Sequence, residues 1–266
     1  MIRLQKLLAE AGLGSRRTIE EWIRAGRVKV AGRTAKLGDR ATAADEVRVD
    51  GKRVKLSSPD GATREVLLYY KPLGEITSRS DPEGRPTVFE RLPPPSRGRW
   101  VSVGRLDVNT AGLLLLTTDG ALAHRLMHPS SEIQREYLVR LRTKPGPTAI
   151  AQLLLGVQLE DGAASLDRIE AASWADGASR GRRQGAAPGT GDTFRVVLHE
   201  GRNREVRRLW QAVGFEVSRL MRVRYGPIEL PSDLKPGGTR RLSPLLIDRL
   251  MAAAPGKPPR ARPRVG

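Results

Sequence analysis

The chain has 266 residues and a net charge of +18, from 47 Lys and Arg against 29 Asp and Glu, enough length for one medium and one small domain. It has no cysteine, which excludes disulfides, thiol nucleophiles and cysteine-ligated metals, and no apolar run is long enough to cross a membrane. A surface this basic attracts polyanions, nucleic acid ahead of an anionic membrane; the first residues, Met1 to Lys6, do not read as a signal peptide, so a cytoplasmic location is expected.

Leu4, Leu7, Leu8 and Ala11 recur at helical spacing and predict a short opening helix, ended by Gly12 and Gly14. Ser15 then caps a second helix that buries Ile19, Trp22 and Ile23 and stops at Gly26. Arg16 and Arg17 fall in its first turn, where the helix dipole disfavours cations. A local cost of that kind points to another use, such as gripping phosphates. Val28 with Val30 and Val47 with Val49 alternate as strands, and Asp50-Gly51 is a hairpin signal. Residues 1–58 hold 14 Lys and Arg against 7 Asp and Glu. Ser57 to Gly61 is a polar linker.

Val66 to Tyr70 predicts a strand, followed by the turn Lys71-Pro72-x-Gly74 and a loop from Asp81 into a short helix near Phe89. Trp100 to Val103 predicts a strand that delivers Gly104-Arg105-Leu106-Asp107. Leu113 to Leu116, bounded by Gly112 and Gly120, reads as a strand buried on both faces. Asp107 is thus a carboxylate in a loop at the rim of a deep core, sensitive to its neighbours; the plainer alternative is a turn cap. Thr118 and Asp119 suit the start of a helix running to Met127. His124 and His128 stand four apart with no acid at suitable spacing and Pro129 after them, so no metal site is expected.

Gln134 to Leu141 alternates, with Glu136, Leu138 and Arg140 on one face and Tyr137, Val139 and Leu141 on the other. On pattern alone Tyr137 is a core tyrosine. Ile150 to Leu155 predicts a helix, Ala171 to Gly191 a looped-out insert, and Thr193 to Leu198 a returning strand. In the next helix Val206, Leu209, Trp210 and Val213 share one face and Arg204, Arg208 and Gln211 the other. Arg207 falls at the border, where it suits pairing with a partly buried carboxylate through two parallel donors; an ordinary surface Arg is the alternative. Val217 to Tyr225 alternates, with Val217, Arg219, Met221, Val223 and Tyr225 on one face. On the other, Leu220 is the one large apolar side chain among Ser218, Arg222 and Arg224. A short helix near Leu245 to Leu250 precedes a basic tail.

The run Gly104-Arg105-Leu106-Asp107-Val108-Asn109-Thr110-Ala111-Gly112-Leu113-Leu114-Leu115-Leu116-Thr117-Thr118-Asp119-Gly120 resembles the signature of the RsuA/RluB-type rRNA pseudouridine synthases. Arg135-x-Tyr137 is similar to that family's K/R-x-Y motif, and Asn203 to Trp210 with Arg222-Val223-Arg224-Tyr225-Gly226-Pro227-Ile228 to its closing segments. Arg3-Leu4-x-Lys6-x-Leu8-Ala9, Gly14-Ser15-Arg16-Arg17, Gly26-Arg27-Val28-x-Val30 and Asp45-x-Val47-x-Val49-Asp50-Gly51 resemble a small S-four-type RNA-binding domain, with Ala31 where the turn usually carries Asn.

The resemblance implies an α+β fold: an αα-ββ RNA-binding domain over 1–57, a linker at 58–65, and a catalytic domain over 66–250 on a mixed, mainly antiparallel sheet. A flexible insert is expected at about 175–191 and a disordered basic tail at 251–266. It implies isomerisation of uridine to pseudouridine, with Asp107 as catalytic carboxylate and Arg207 salt-bridged to it. It also implies Tyr137 against the base and Leu220 lining the site. Arg3, Lys6, Arg16, Arg17, Arg27, Arg105, Arg202, Arg204 and Arg208 are expected to bind RNA. Neither cofactor nor metal is implied, and the partner is ribosomal RNA, with no membrane, no protein partner and a monomer expected. The closing segments look most like members acting on large-subunit (23S) rRNA near the peptidyl-transferase centre. Alternatives are small-subunit (16S) rRNA and a non-catalytic RNA-binding assembly protein. A glycoside hydrolase would need a second acid beside Asp107, and none stands in a comparable apolar setting in the sequence.

Overall fold

The computed structural model describes residues 1–56, 64–174 and 192–253; the expected insert at 175–191, most of the linker and nearly all of the basic tail lie outside the described residues. The chain divides into two compact units. One comprises Met1–Val66, Pro93–Val101 and Thr117–Gly120; the other comprises Leu67–Leu92, Ser102–Leu116 and the chain from Ala121 onward.

In the first unit, α1 (Leu4–Glu10) and α2 (Arg16–Arg24) pack over short strands, with Leu4, Leu8, Ile19, Val28 and Val47 sealed from solvent. The Ser15 hydroxyl accepts a hydrogen bond from the Thr18 amide at 3.0 Å, the cap that starts α2. The strands are β1 (Ile2–Arg3), β2 (Val28–Val30), β3 (Arg33–Thr34), β4 (Arg40–Ala41), β5 (Val47–Val49) and β6 (Lys52–Val54). They form a sheet in the order β3-β2-β5-β6 and a separate β1-β4 pair. Asp50 and Gly51 both sit at positive φ, 49° and 78°, the conformation of a tight hairpin turn between β5 and β6.

The second unit is built on one sheet in the order β13-β14-β10-β15-β9-β7-β17, with β8 and β16 alongside. Its strands are β7 (Val66–Lys71), β8 (Val101–Val103), β9 (Ala111–Thr117), β10 (Arg135–Leu141), β13 (Arg168–Ala171), β14 (Thr193–Leu198), β15 (Val217–Tyr225), β16 (Ile228–Glu229) and β17 (Thr239–Arg241). A hairpin of β11 (Val157–Leu159) and β12 (Gly162–Ala164) stands apart. The helices are α3 (Gly120–Met127), α4 (Pro147–Leu155), α5 (Glu205–Ala212) and α6 (Pro244–Ala252). Most pairs are antiparallel, whereas β15 runs parallel to β9. Leu113 to Leu116 on β9 are fully buried, as an apolar run deep inside a sheet requires. Gly112 lets β9 reach β15: its φ is 105°, and a Cβ there would stand 2.2 Å from the Arg222 carbonyl oxygen.

Strand β15 departs from simple alternation. Against β10 its register slips at Ser218 and again at Val223, each a bulge that reverses the side-chain parity. Tyr225, expected on the face opposite Leu220 and Arg222, therefore lines the same cavity as both. From Leu220 to Val223 the strand is buried throughout, so its second face is not the polar surface that the alternation suggested.

Candidate active site

A cavity of about 440 Å³ opens within the second unit, in the size range of small-molecule sites. The turn after β8 supplies Arg105, Leu106, Asp107 and Thr110; β10 supplies Arg135 and Tyr137; β15 supplies Leu220, Arg222 and Tyr225. The segment from Gly201 to Val206, entering α5, completes the wall. Asp107, Tyr137 and Leu220, picked out in sequence, are thus brought to one cavity although β10 and β15 follow Asp107 by tens of residues.

The Asp107 carboxylate is half-buried, and among the described residues no side-chain hydrogen bond or ion pair within 4 Å engages it. Its main chain is held instead. The Thr77 hydroxyl donates to the Leu106 carbonyl at 2.9 Å and accepts from the Leu106 amide at 3.2 Å. The Asp107 carbonyl takes the Thr110 amide at 3.0 Å, and the Val108 carbonyl takes the Gly74 amide at 2.9 Å. Arg207 donates to the Asn109 carbonyl at 2.8 Å, and Lys71 to the Thr110 carbonyl at 2.9 Å. Five consecutive carbonyls, Leu106 to Thr110, each have a donor, so the turn is fixed while the carboxylate stays free.

Arg207 forms neither the two-donor pair with a carboxylate that its border position suggests nor the salt bridge to Asp107 that the resemblance implies. Its Nη1 donates to the Val217 carbonyl and its Nη2 to that of Asn109, both at 2.8 Å, and its Nε is buried without a partner. Burial and Arg204 lower its pKa, while Asp107 and Glu216 act to raise it, so the two groups attract through space. Arg207 does lie at the border of the apolar face, but nearer carbonyls outcompete the carboxylate for its donors.

Lys71, legible in sequence only as a turn residue, is completely buried. Its Nζ donates to the carbonyls of Pro72 and Thr110, both at 2.9 Å. Burial pulls its pKa down from 10.5 to about 8, against the raising influence of Glu75 and Asp107. Glu205 is a second acid on the cavity wall, only 4% exposed, which corrects the expectation that none accompanies Asp107. Burial raises its pKa, against the Arg202 amide that donates to its Oε2 at 2.9 Å. Glu205 opens α5, and its oxygen ties down the loop that leads into that helix.

The expected RNA-binding cations divide. Arg105 and Arg204 are exposed at the cavity, Arg204 with a φ of 50°. Arg208 is committed to Asp161 through two 2.8 Å bonds. Arg202 is bound to Glu200 and to the carbonyls of Gly162 and Ala163. Their free-phosphate role is thereby reduced by partners on the β11-β12 hairpin. In the first unit Arg3, Arg16 and Arg17 are exposed, Lys6 faces Glu10 at 3.7 Å, and Arg27 pairs with Asp50 at 2.6 Å.

Comparison with known proteins adds to this geometry. A family model described as RNA pseudouridylate synthase matches residues 65–212, and an S4 domain model matches residues 2–47. The chain is 53% identical over 242 residues to Ribosomal large subunit pseudouridine synthase B of Yersinia pestis, covering 90% of this chain and 72% of that protein. It is 52% identical to the protein of the same name from Escherichia coli (strain K12), covering 90% and 79%. Among solved structures, a crystal structure of a pseudouridylate synthase aligns with a TM-score of 0.62 and 27% identity over 94% of this chain and 100% of that one.

Proposed function

This chain belongs to the RNA pseudouridylate synthase family, and from that premise we propose that it isomerises a uridine of large-subunit ribosomal RNA, with Asp107 as the catalytic carboxylate. The observation that carries the role of Asp107 is that, among the described residues, its carboxylate has no side-chain partner in a cavity whose turn is otherwise tied down. The bond from the ribose anomeric carbon to N1 breaks, the uracil rotates, and the same carbon bonds C5. The C5 proton leaves and N1 is protonated, so atoms and charge balance. Two routes are open to Asp107, attack on the anomeric carbon or removal of a ribose proton to give a glycal. Both require an ionised carboxylate with an oxygen open to the substrate. Arg207, Lys71 and Thr77 keep it in place through its main chain. Tyr137, half-buried on β10, offers a ring for the base to lie against, and Leu220 supplies an apolar floor.

The large-subunit substrate is supported by the names of the similar proteins; a uridine near the peptidyl-transferase centre is the finer reading, supported by the Arg222 to Ile228 segment. The target base must leave its stack to enter the cavity. A ribosomal RNA substrate supports a cytoplasmic location, and the protein is read as acting as a monomer.

The test is tritium release from rRNA transcripts carrying uridine tritiated at C5, offered as large- and small-subunit transcripts and as assembly intermediates. Release from large-subunit RNA by wild type, and none by Asp107→Asn with RNA affinity within about twofold, is expected. Release from small-subunit RNA alone would refute the substrate, and undiminished release by Asp107→Asn would refute the catalytic assignment.

A further inference from the structure

We propose that Arg135 is a phosphate-binding residue of the cavity, taking a backbone phosphate of the nucleotide whose base enters it. This rests on the reading of the cavity as the place where the target uridine binds. Arg135 opens β10, lines the cavity and is 9% exposed. Its Nη1 is fixed by two main-chain carbonyls, Ile133 at 2.8 Å and His199 at 2.7 Å. The Tyr225 ring lies to one side, with its centroid 5.3 Å from Cζ. Gly201 stands against the flat of the guanidinium: a Cβ there would be 3.2 Å from Cζ and 3.3 Å from both Nε and Nη2. The plane is therefore set by its surroundings, and the Nη1 side is spent.

Among the described residues Nε and Nη2 have no hydrogen-bond partner within 3.5 Å, although the guanidinium also draws on the Tyr225 hydroxyl and acts to lower its pKa; that edge is the fork that meets two oxygens of a phosphate at once. Among the described residues no carboxylate within 4 Å neutralises Arg135. The contrast along the strand is direct. The adjacent Glu136, on the opposite face, is met by both Arg195 and Arg224. Leaving a nearly buried cation without a counter-ion is costly, and a preorganised guanidinium on a cavity wall recovers that cost when an anion arrives. A neutral carbonyl of the base would satisfy the donors but not the charge, so a phosphodiester oxygen pair is the better match. Asp107 would meet the ribose while Arg135 holds the adjoining phosphate, which orients the nucleotide between them.

The test uses the full-length protein and phosphorus NMR titrations with uridine 5′-monophosphate and, separately, uridine 3′-monophosphate, which distinguish the two flanking phosphates. It requires no turnover, so its outcome is independent of whether Asp107 is catalytic. Arg135→Gln should weaken one mononucleotide by about tenfold or more, as loss of a charge-assisted double hydrogen bond implies. Gly201→Ala, which keeps the charge but crowds the guanidinium, should weaken the same ligand several-fold and stands in should Arg135→Gln fail to fold. Arg249→Gln, an exposed control on α6, should titrate as wild type. Equal affinity of wild type and both site variants for both mononucleotides, or no binding by wild type beyond the level that Arg249→Gln removes, would overturn the assignment.

Discussion

Two carboxylates in the second unit, Asp107 and Glu136, are handled in opposite ways. Glu136 is 5% exposed on β10, and Arg195 from β14 and Arg224 from β15 both reach it, the latter at 2.7 Å. Burial alone would raise its pKa, but the two arginines outweigh burial and lower it. Asp107 is more open and has no such partner among the described residues, although Arg207 and Lys71 are close enough to feel its charge. Those two cations spend their donors on the carbonyls of Asn109 and Thr110 instead. A carboxylate that joins strands together is satisfied through its side chain. Asp107, which we propose acts on the substrate, is positioned through its main chain, and its oxygens are left open.

Changes on the Glu136 side should strike stability and spare chemistry. Glu136→Ala strands two guanidiniums and should cost about 3–5 kcal/mol, seen as a fall in the thermal midpoint with tritium release preserved below it. Lys71→Met supplies a pH signature. The folded-state pKa of Lys71 is depressed to about 8, so between there and 10.5 the unfolded chain holds the proton that the native state has released. Wild-type stability should therefore rise relative to Lys71→Met as pH climbs through that window, by about 3 kcal/mol in all. Denaturant unfolding of both proteins at pH 7 and 10.5 measures it; a pH-independent difference would contradict a buried, charged Lys71.

Arg207→Gln loosens the Asn109 carbonyl and removes the nearby charge, and should lower kcat about 10²-fold with KM within a few-fold. If the loss fell on KM instead, Arg207 would be a substrate contact rather than a support of the Asp107 turn. Thr77→Val deletes both bonds to Leu106 and should lower kcat about tenfold, whereas Thr77→Ser should recover most of the rate. Activity kept by Thr77→Val but lost by Thr77→Ser would point instead to packing of the methyl group.

Much of this was written locally. The Ser15 cap, the Asp50-Gly51 turn and the sealed run Leu113 to Leu116 depend on near neighbours or on simple apolarity, and each is found in the structure. Asp107, Tyr137 and Leu220 could be nominated because a resemblance singled them out, and the sheet brings them together. Long-range pairings were not legible. Asp161, 47 residues before Arg208, takes a cation that looked free for phosphate. The bulge at Val223 turned Tyr225 into the cavity, since a register slip leaves no mark on the alternation of the strand itself. Lys71 reads as an ordinary turn residue, since nothing in a Lys-Pro turn announces that its ammonium will be sealed under a neighbouring loop.

The most direct test of the contrast is thermal unfolding of Asp107→Asn measured beside its single-turnover tritium release from large-subunit rRNA. A free carboxylate predicts a midpoint within about 2 °C of wild type, since no side-chain bond is lost, and a rate reduced at least about 10³-fold. A destabilised variant that still released tritium would mean that Asp107, like Glu136, is a structural carboxylate and that the chemistry belongs to another group.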